Sequence, residues 1–362
     1  MKNRKIEELD TNFKITGIKE EGKVYFDVTQ EPSIVFGLPW FKSNKEFCRM
    51  PPEKLKLFSE GIKYLSWNTT GVRLRFKTNS PSIALKVNLL SGSDMSHMPR
   101  TGISGFDFYT GLGPNKKYVK TIMPESGAQE YQGEVFSCDD DGLLKEWLIY
   151  FPLYNGVKRL QLGIKEGSII EPADQYIIEK PVVFYGSSIT QGGCASRTGN
   201  CYTNIISRLL DTDIYNLGFS GSAKGEPEMA EFISELEMSV LVIDYDHNAP
   251  DVKHLEKTHE PFFKCIRRKQ PELPVIFVSK PDFDANISDS SVRREIIYRT
   301  YKNSLDLGDK RTYFIDGETL FGKENRDSCT VDGCHPNDLG FMRMAKVIAP
   351  VIKNTSAFSG IY

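Results

Sequence analysis

Charge of one sign is what this 362-residue chain lacks: 46 lysines and arginines stand against 48 aspartates and glutamates, a formal net charge of -2. Such a balance offers no electrostatic footprint for nucleic acid or an anionic membrane surface. No apolar run approaches the roughly 18 residues of a membrane span, so the chain reads as soluble. The segment from Met1 to Phe13 has basic residues but no apolar core of a secretory signal. The expectation is a cytoplasmic protein by default, or a secreted one that has already been trimmed. Cysteine is sparse and odd in number, seven in all with no C-x-x-C pair. That favours free thiols in a reducing compartment over a disulfide framework, with Cys194–Cys201 and Cys329–Cys334 the pairings a loop could still close. Only five histidines are present, which shortens any search for a general base.

Length and apolar content set what can be built. The chain exceeds one usual domain, and 40% hydrophobic residues is ample for packed cores. From about Phe13 to Ile170 the pattern is short strands. Val72, Leu74 and Phe76 alternate with Arg73, Arg75 and Lys77, while Ile83, Leu85 and Val87 alternate with Ala84 and Lys86. Joined by Asn79-Ser80-Pro81, these two runs predict a hairpin with one solvated face. Further runs follow at 103–109, 118–123, 147–153 and 157–164, with one brief helical candidate at 52–61. The spacing predicts an all-β, jelly-roll-like sandwich over residues 1–175.

After Glu171-Pro172 the pattern changes. Strands at 182–185, 214–217, 240–245, 275–279 and 313–315 alternate with helices near 202–210, 227–236, 252–269, 292–307 and 337–352. Five apolar runs separated by helices predict an α/β domain over residues 176–362, with a parallel sheet covered on both faces.

The chemistry starts at Lys180 to Gly193, KPVVFYGSSITQGG. Val182, Val183, Phe184 and Tyr185 read as a strand buried on both faces. Gly186 ends it, permitting a sharp turn and close ligand approach, so Ser187 and Ser188 fall at the carboxyl end of a strand, where open α/β sheets bind ligands. Among the histidines, His97 reads as a surface loop residue, His254 and His259 as helix positions, and His247 as a cleft candidate after the third strand. His335 differs because Asp332 lies three residues ahead on a tight turn. A carboxylate so placed can fix the imidazole tautomer and leave the other nitrogen to take a proton from a hydroxyl. Alone, D-x-x-H is better explained by an N-cap aspartate beside an unrelated histidine. Together with a serine at the first strand end it points to acyl transfer. That chemistry also needs donors for a developing oxyanion. Asn216-Leu217-Gly218-Phe219-Ser220-Gly221 and Asn248 can supply them, although Asn and Gly are also the usual residues of turns.

Four blocks therefore stand in order: GSSITQG at 186–192, NLGFSG at 216–221, the Asn248 segment, and DGCH at 332–335. In that combination the C-terminal half, from about Val182 to Ile352, resembles an SGNH (GDSL-type) hydrolase. The resemblance implies a flavodoxin-like three-layer α/β/α domain with a five-stranded parallel sheet. It also implies Ser188 as nucleophile, His335 as base and Asp332 as its orienter, with Ser188 N–H, Gly221 N–H and the Asn248 amide forming the oxyanion hole. No metal and no cofactor is implied. The N-terminal half, including Gly105-Phe106-Asp107-Phe108-Tyr109, is similar to the β-sandwich attached to a bacterial, carbohydrate-esterase-like branch of that superfamily. Two departures matter. Ser187 stands where the family has the aspartate of Gly-Asp-Ser and is a rival nucleophile, and the usual Gly-x-Asn-Asp is Asp246-His247-Asn248-Ala249. The G-x-S-x-G elbow of α/β-hydrolases is absent, so that fold fits less well.

The expected activity is hydrolysis of short-acyl, in particular acetyl, esters on a small-molecule or oligosaccharide substrate through an acyl-enzyme. Trp40 and Trp67 are candidates to stack on sugar rings, with core packing as the alternative. One rival is an acyltransferase resolving the same acyl-enzyme with a non-water acceptor. A second is a non-catalytic carbohydrate-binding protein, against which the intact Ser188, Asp332 and His335 speak. Arg197, Lys224, Glu226 and Asp282 are the candidates to touch the alcohol portion, the default for each being a solvated loop charge, while His247 either replaces a small residue in the acyl pocket or helps hold substrate. A zinc site from Asp244, Asp246, His247 and Cys334 lacks a recognised ligand spacing and is not expected.

Overall fold

Two antiparallel sheets and one parallel sheet carry the chain in a computed structural model that describes residues 17–30, 34–92, 94–136 and 142–359. The expected strand pattern near Phe13, and Cys138, fall outside these residues. The first antiparallel sheet has the order Ile18–Glu20, Lys23–Asp27, Val157–Lys165, Ser82–Leu89, Glu130–Phe136. The second runs Ile170–Pro172, Arg73–Thr78, Lys145–Tyr150, Phe106–Thr110, Lys117–Ile122, with Val35–Phe36 also paired to Arg73–Thr78. Phe26, Leu74, Phe76, Leu85, Phe106, Trp147 and Leu162 fill one core between them, as in a β-sandwich.

The expected hairpin does not form. Arg73–Thr78 and Ser82–Leu89 belong to different sheets, so Asn79-Ser80-Pro81 carries the chain across the sandwich. Nor is the arginine face wet, because Arg73 and Arg75 are 0% and 1% exposed. Arg73 pairs with Asp213 and donates to the Tyr176 hydroxyl at 2.8 Å. Arg75 pairs with Glu146 at 3.0 Å, its guanidinium 3.7 Å from the centroid of the Tyr176 ring. Alternation identified the inward face correctly. The outward face is covered, and its charges are matched, Arg73 by Asp213 of the other half and Arg75 by Glu146 on the neighbouring strand, as desolvated charges must be. Strand Glu130–Phe136 escaped the sequence pattern because only Val135 on it is fully buried.

The parallel sheet has the order Thr212–Gly218, Ile178–Gly186, Val240–Asp244, Val275–Val278, Thr312–Ile315. In chain order this is 2-1-3-4-5, the flavodoxin-like doubly wound arrangement. Strand periodicity divides the first strand between two cores. Val182 and Phe184 face helices Tyr202–Leu210 and Asp338–Lys353, while Val183 and Tyr185 face Pro227–Ser234, Val252–Lys269 and Ile287–Asp306. Both layers recruit N-terminal residues: Met98, Ile103 and Leu153 join the first, and Met50, Phe58, Ile62 and Leu65 the second. The sandwich is thus packed into the hydrophobic layers of the α/β half. Among the described residues no helix is long and apolar enough to cross a membrane. Cys48, Cys194, Cys201, Cys265, Cys329 and Cys334 are free thiols, so neither candidate loop disulfide forms.

Candidate active site

The site sits at the carboxyl end of the first parallel strand. Gly186 is there for close packing rather than for a ligand, since a Cβ would come 2.1 Å from Thr190 Oγ1 and 2.4 Å from the Asp244 carbonyl. Ser187 then caps the short helix Ser188–Gln191, its hydroxyl accepting from the Ile189 N–H at 3.2 Å. Capping turns Ser187 inward, to 1% exposure. Ser188 Oγ lies 3.0 Å from His335 Nε2. His335 Nδ1 lies 2.8 Å from Asp332 Oδ2, and the His335 N–H donates to Asp332 Oδ1 at 2.7 Å. A proton on Nδ1 is therefore held by the carboxylate, and Nε2 turns its lone pair to the serine hydroxyl.

Gly221 lies in the left-handed region at φ +63°, with no atom within 4 Å of where a Cβ would be, so its backbone conformation is what calls for glycine. Among the described residues neither the Ser188 nor the Gly221 N–H finds a hydrogen-bond acceptor. Asn248 Nδ2 donates to the Phe219 carbonyl at 2.9 Å, which uses one of its two N–H bonds.

Residues far away in sequence hold this loop. Asn216 Nδ2 donates to the Thr190 carbonyl at 2.7 Å, and the Ser220 N–H donates to Gln191 Oε1 at 3.0 Å. Arg49, 0% exposed, reaches over from the N-terminal half and donates from Nη1 to the carbonyls of Asn216 and Gly218, each at 2.8 Å. From the same half, Thr70 donates to the Gln191 carbonyl at 2.7 Å and the Tyr154 hydroxyl to the Ser188 carbonyl at 3.2 Å. His97 is exposed, as expected, but its ring centroid is 6.3 Å from that of His335. Sequence reading missed Arg49, Thr70 and Tyr154, because none carries a local motif and each acts across the interface, and it assigned no role to Gln191 within the GSSITQG block.

The other candidates divide. His247 and Asp282 come together, Nε2 to Oδ2, at 3.2 Å, and Cys334 Sγ lies 3.2 Å from the same nitrogen. Arg197 instead binds Asp107 at 2.9 Å and the Tyr109 hydroxyl at 2.5 Å, its guanidinium 3.9 Å from the Tyr118 ring centroid, so it joins the two halves. Glu226 accepts from the Tyr185 hydroxyl at 2.9 Å and from the Lys224 N–H at 3.0 Å, and the Lys224 carbonyl faces His254 Nε2 at 2.8 Å. Both brace a turn. Asp244 accepts from Thr190 and Tyr202, and Asp246 from the Lys280 N–H, so these two aspartates do not join His247 and Cys334. Trp40 packs on Tyr215 and Phe232 in the core.

Charge in the site is strongly coupled. Burial would raise the Asp332 carboxyl, but the N–H groups of His335 and Cys334 and the imidazole bring it down to about 2. The hydrogen bond to Cys334 lifts His335, burial opposes, and Asp332 adds to the lift, giving about 9, so below that pH the ring carries a proton on each nitrogen and only its neutral fraction offers Nε2 to Ser188. Burial acts against charge on His247 and Cys334, yet their mutual hydrogen bond, with Asp282 on one side and His335 on the other, moves them to about 11 and about 7.

Comparison with known proteins agrees with this architecture. Residues 179–353 match the GDSL-like lipase/acylhydrolase family model, and residues 23–170 match the model for the N-terminus of SGNH-hydrolase-type esterases. A protein from Bacteroides ovatus described as a GDSL-like lipase is 28% identical, with 91% of this chain and 97% of that one aligned at a TM-score of 0.81. A salicylyl-acyltransferase from a tetracycline biosynthetic pathway shares the fold at 18% identity over 92% and 98% of the two chains, TM-score 0.76. So does a family two carbohydrate esterase from Clostridium thermocellum in complex with cellohexaose, at 14% identity over 79% and 92%, TM-score 0.58. No curated protein matches significantly. With these two family models in tandem across its β-sandwich and its α/β sheet, the chain belongs to the SGNH (GDSL-type) hydrolases and is an ester-cleaving enzyme.

Proposed function

We propose that the protein is a serine esterase that removes short acyl groups, acetyl in particular, from carbohydrate. Ser188 Oγ gives its proton to His335 Nε2 and attacks the ester carbonyl, while Asp332 holds the imidazole and balances its charge. The tetrahedral oxyanion is received by the Ser188 N–H, the Gly221 N–H and Asn248 Nδ2. The alcohol leaves with the proton from His335, and water repeats the sequence on the acyl-enzyme. The observation that carries this reading is the continuous chain from Ser188 through His335 to Asp332, at 3.0 and 2.8 Å. Residues 1–175 act in it as the sandwich domain and 176–362 as the hydrolase domain.

The carbohydrate substrate is supported by the shared fold of the family two carbohydrate esterases and by N-terminal side chains at the site, His97 with its ring centroid 6.3 Å from that of His335 and Tyr154 hydrogen-bonded to the Ser188 carbonyl. The test is hydrolysis of p-nitrophenyl acetate and of an acetylated oligosaccharide by wild type and Ser188→Ala. Loss of a triad serine removes about 10⁴- to 10⁶-fold in turnover, so equal rates would reject the reading. A second reading, acyl transfer to an alcohol other than water, draws on the fold shared with the salicylyl-acyltransferase. Adding an acceptor sugar separates the two, since only a transferase forms the acylated sugar.

A further inference from the structure

Beside the triad, three side chains from three different loops converge with nothing in the mechanism for them to do. His247 follows the third parallel strand, Asp282 the fourth, and Cys334 lies on the loop to the last helix. His247 Nε2 is 3.2 Å from Asp282 Oδ2 and 3.2 Å from Cys334 Sγ, and the three atoms all lie within 4.8 Å of one another. A tetrahedral ion with bonds of about 2.0 Å to N and O and 2.3 Å to S sets neighbouring ligand atoms roughly 3.3–3.5 Å apart. Both distances from His247 Nε2 are within a few tenths of an ångström of that spacing, and the third pair, Asp282 and Cys334, stands no more than 4.8 Å apart. A second observation points the same way: Asp282 is 7% exposed, and its Oδ1 is buried with no hydrogen-bond partner among the described residues.

We propose that His247, Asp282 and Cys334 form a three-ligand site for a thiophilic divalent cation of the zinc class. The imidazole binds through Nε2 as a neutral ligand and the sulfur as thiolate, so the ion displaces to solvent the proton that Cys334 and His247 share. The fourth position is left to water. Lys280 Nζ lies 3.6 Å from the same Asp282 oxygen and already offsets part of its charge, although Asp289, at 3.7 Å, gives the ammonium an alternative partner. A hard cation would have to rely on that one compromised carboxylate, whereas a soft one gains sulfur and nitrogen, which selects Zn²⁺ or Cd²⁺ over Mg²⁺ or Ca²⁺. Cys334 immediately precedes His335, so an ion there fixes the loop that carries the imidazole and adds positive charge beside it. Loading is expected to inhibit ester cleavage reversibly, a consequence that rests on the catalytic reading above. Binding itself does not.

The experiment titrates the purified full chain with Cd²⁺, following the ultraviolet thiolate-to-metal charge-transfer band, and with Zn²⁺ by calorimetry. The expected result is one ion per chain, a band absent in Cys334→Ser, and affinity reduced in His247→Gln and Asp282→Asn by more than the roughly 10- to 100-fold that follows loss of an outer-shell partner. Unchanged thermal unfolding of the apo variants shows that they are folded, and Ser188→Ala, which lacks the nucleophile, is expected to bind like wild type. A band that survives Cys334→Ser, affinity indifferent to both His247→Gln and Asp282→Asn, or no binding at all would overturn the site. Binding as expected without inhibition would overturn only the coupling to catalysis.

Discussion

Arg49 Nη1 and the carbonyl oxygen of Gly218 are 2.8 Å apart, a contact that joins the N-terminal half to the strand end from which the loop carrying Gly221 departs. The same guanidinium donates to the carbonyls of Leu65, Asn68 and Asn216 and lies 4.6 Å from the centroid of the Phe219 ring. A buried acceptor left without its donor costs about 1–3 kcal/mol. Arg49→Met is therefore expected to lower unfolding free energy by several kcal/mol. Arg49→Lys should recover part of this, because an ammonium supplies donors but not the planar fork. Denaturant unfolding measures the first effect. Steady-state kinetics of the folded Lys variant should show kcat falling more than KM rises, since a displaced loop weakens the transition state first. An Arg49→Met protein as stable as wild type would contradict this role.

Asp107 is completely buried, and it accepts from Arg197 at 2.9 Å, from the Gly199 N–H at 2.8 Å and from Thr121 at 2.6 Å. Removing one partner of a buried ion pair typically costs about 3–5 kcal/mol. Asp107→Ala is expected to lose stability on that scale. Arg197→Gln should lose less, because its side chain is partly solvated and Asp107 keeps two other donors, and KM should stay near wild type in the folded fraction. A raised KM with unchanged stability in Arg197→Gln would return this arginine to substrate binding.

His259 is 2% exposed, lies between the rings of Tyr245 and Phe277, and has Thr300 Oγ1 2.9 Å from Nδ1. Burial holds its pKa down at about 3, against 6.5 for the free side chain. The unfolded chain therefore takes up a proton that the folded chain refuses. The stability it contributes is fully present above pH 6.5 and is lost as pH falls toward 3. At about 1.4 kcal/mol per pH unit this reaches roughly 3 kcal/mol at pH 4. Denaturation midpoints of wild type and His259→Phe between pH 7 and pH 4 should converge on the acid side. Parallel curves would contradict the assignment.

Much of the fold was legible because its signals are local. Helix 202–210 and helix 252–269 were delimited by sequence at their observed ends, since apolar periodicity and the residues flanking it coincide there. The five apolar runs became the five parallel strands for the same reason. What stayed hidden was non-local. Nothing near Arg73 or Arg75 announces that Asp213 and Tyr176 will cover them, and the hairpin reading failed because turn residues such as Asn79-Ser80-Pro81 also serve a crossing between sheets. At the candidate site, motifs pointed to Ser188, Asp332 and His335, which the structure brings within hydrogen-bond reach of one another in series, and the sequence left Ser187 as a rival to Ser188. Arg49 and Tyr154 had no motif, Gln191 sat in one with no signal of its role, and Asp282 met His247 and Cys334 only through the order of the strands.

The central claim is that Ser188 is the nucleophile and its neighbour a helix cap. A fluorophosphonate probe mapped by mass spectrometry tests it most directly. One adduct is expected on Ser188, undiminished in Ser187→Ala apart from the ~1 kcal/mol of stability that a lost cap costs, and nearly abolished in His335→Gln. An adduct on Ser187, or full labelling of Ser188 without the His335 imidazole, would contradict the account.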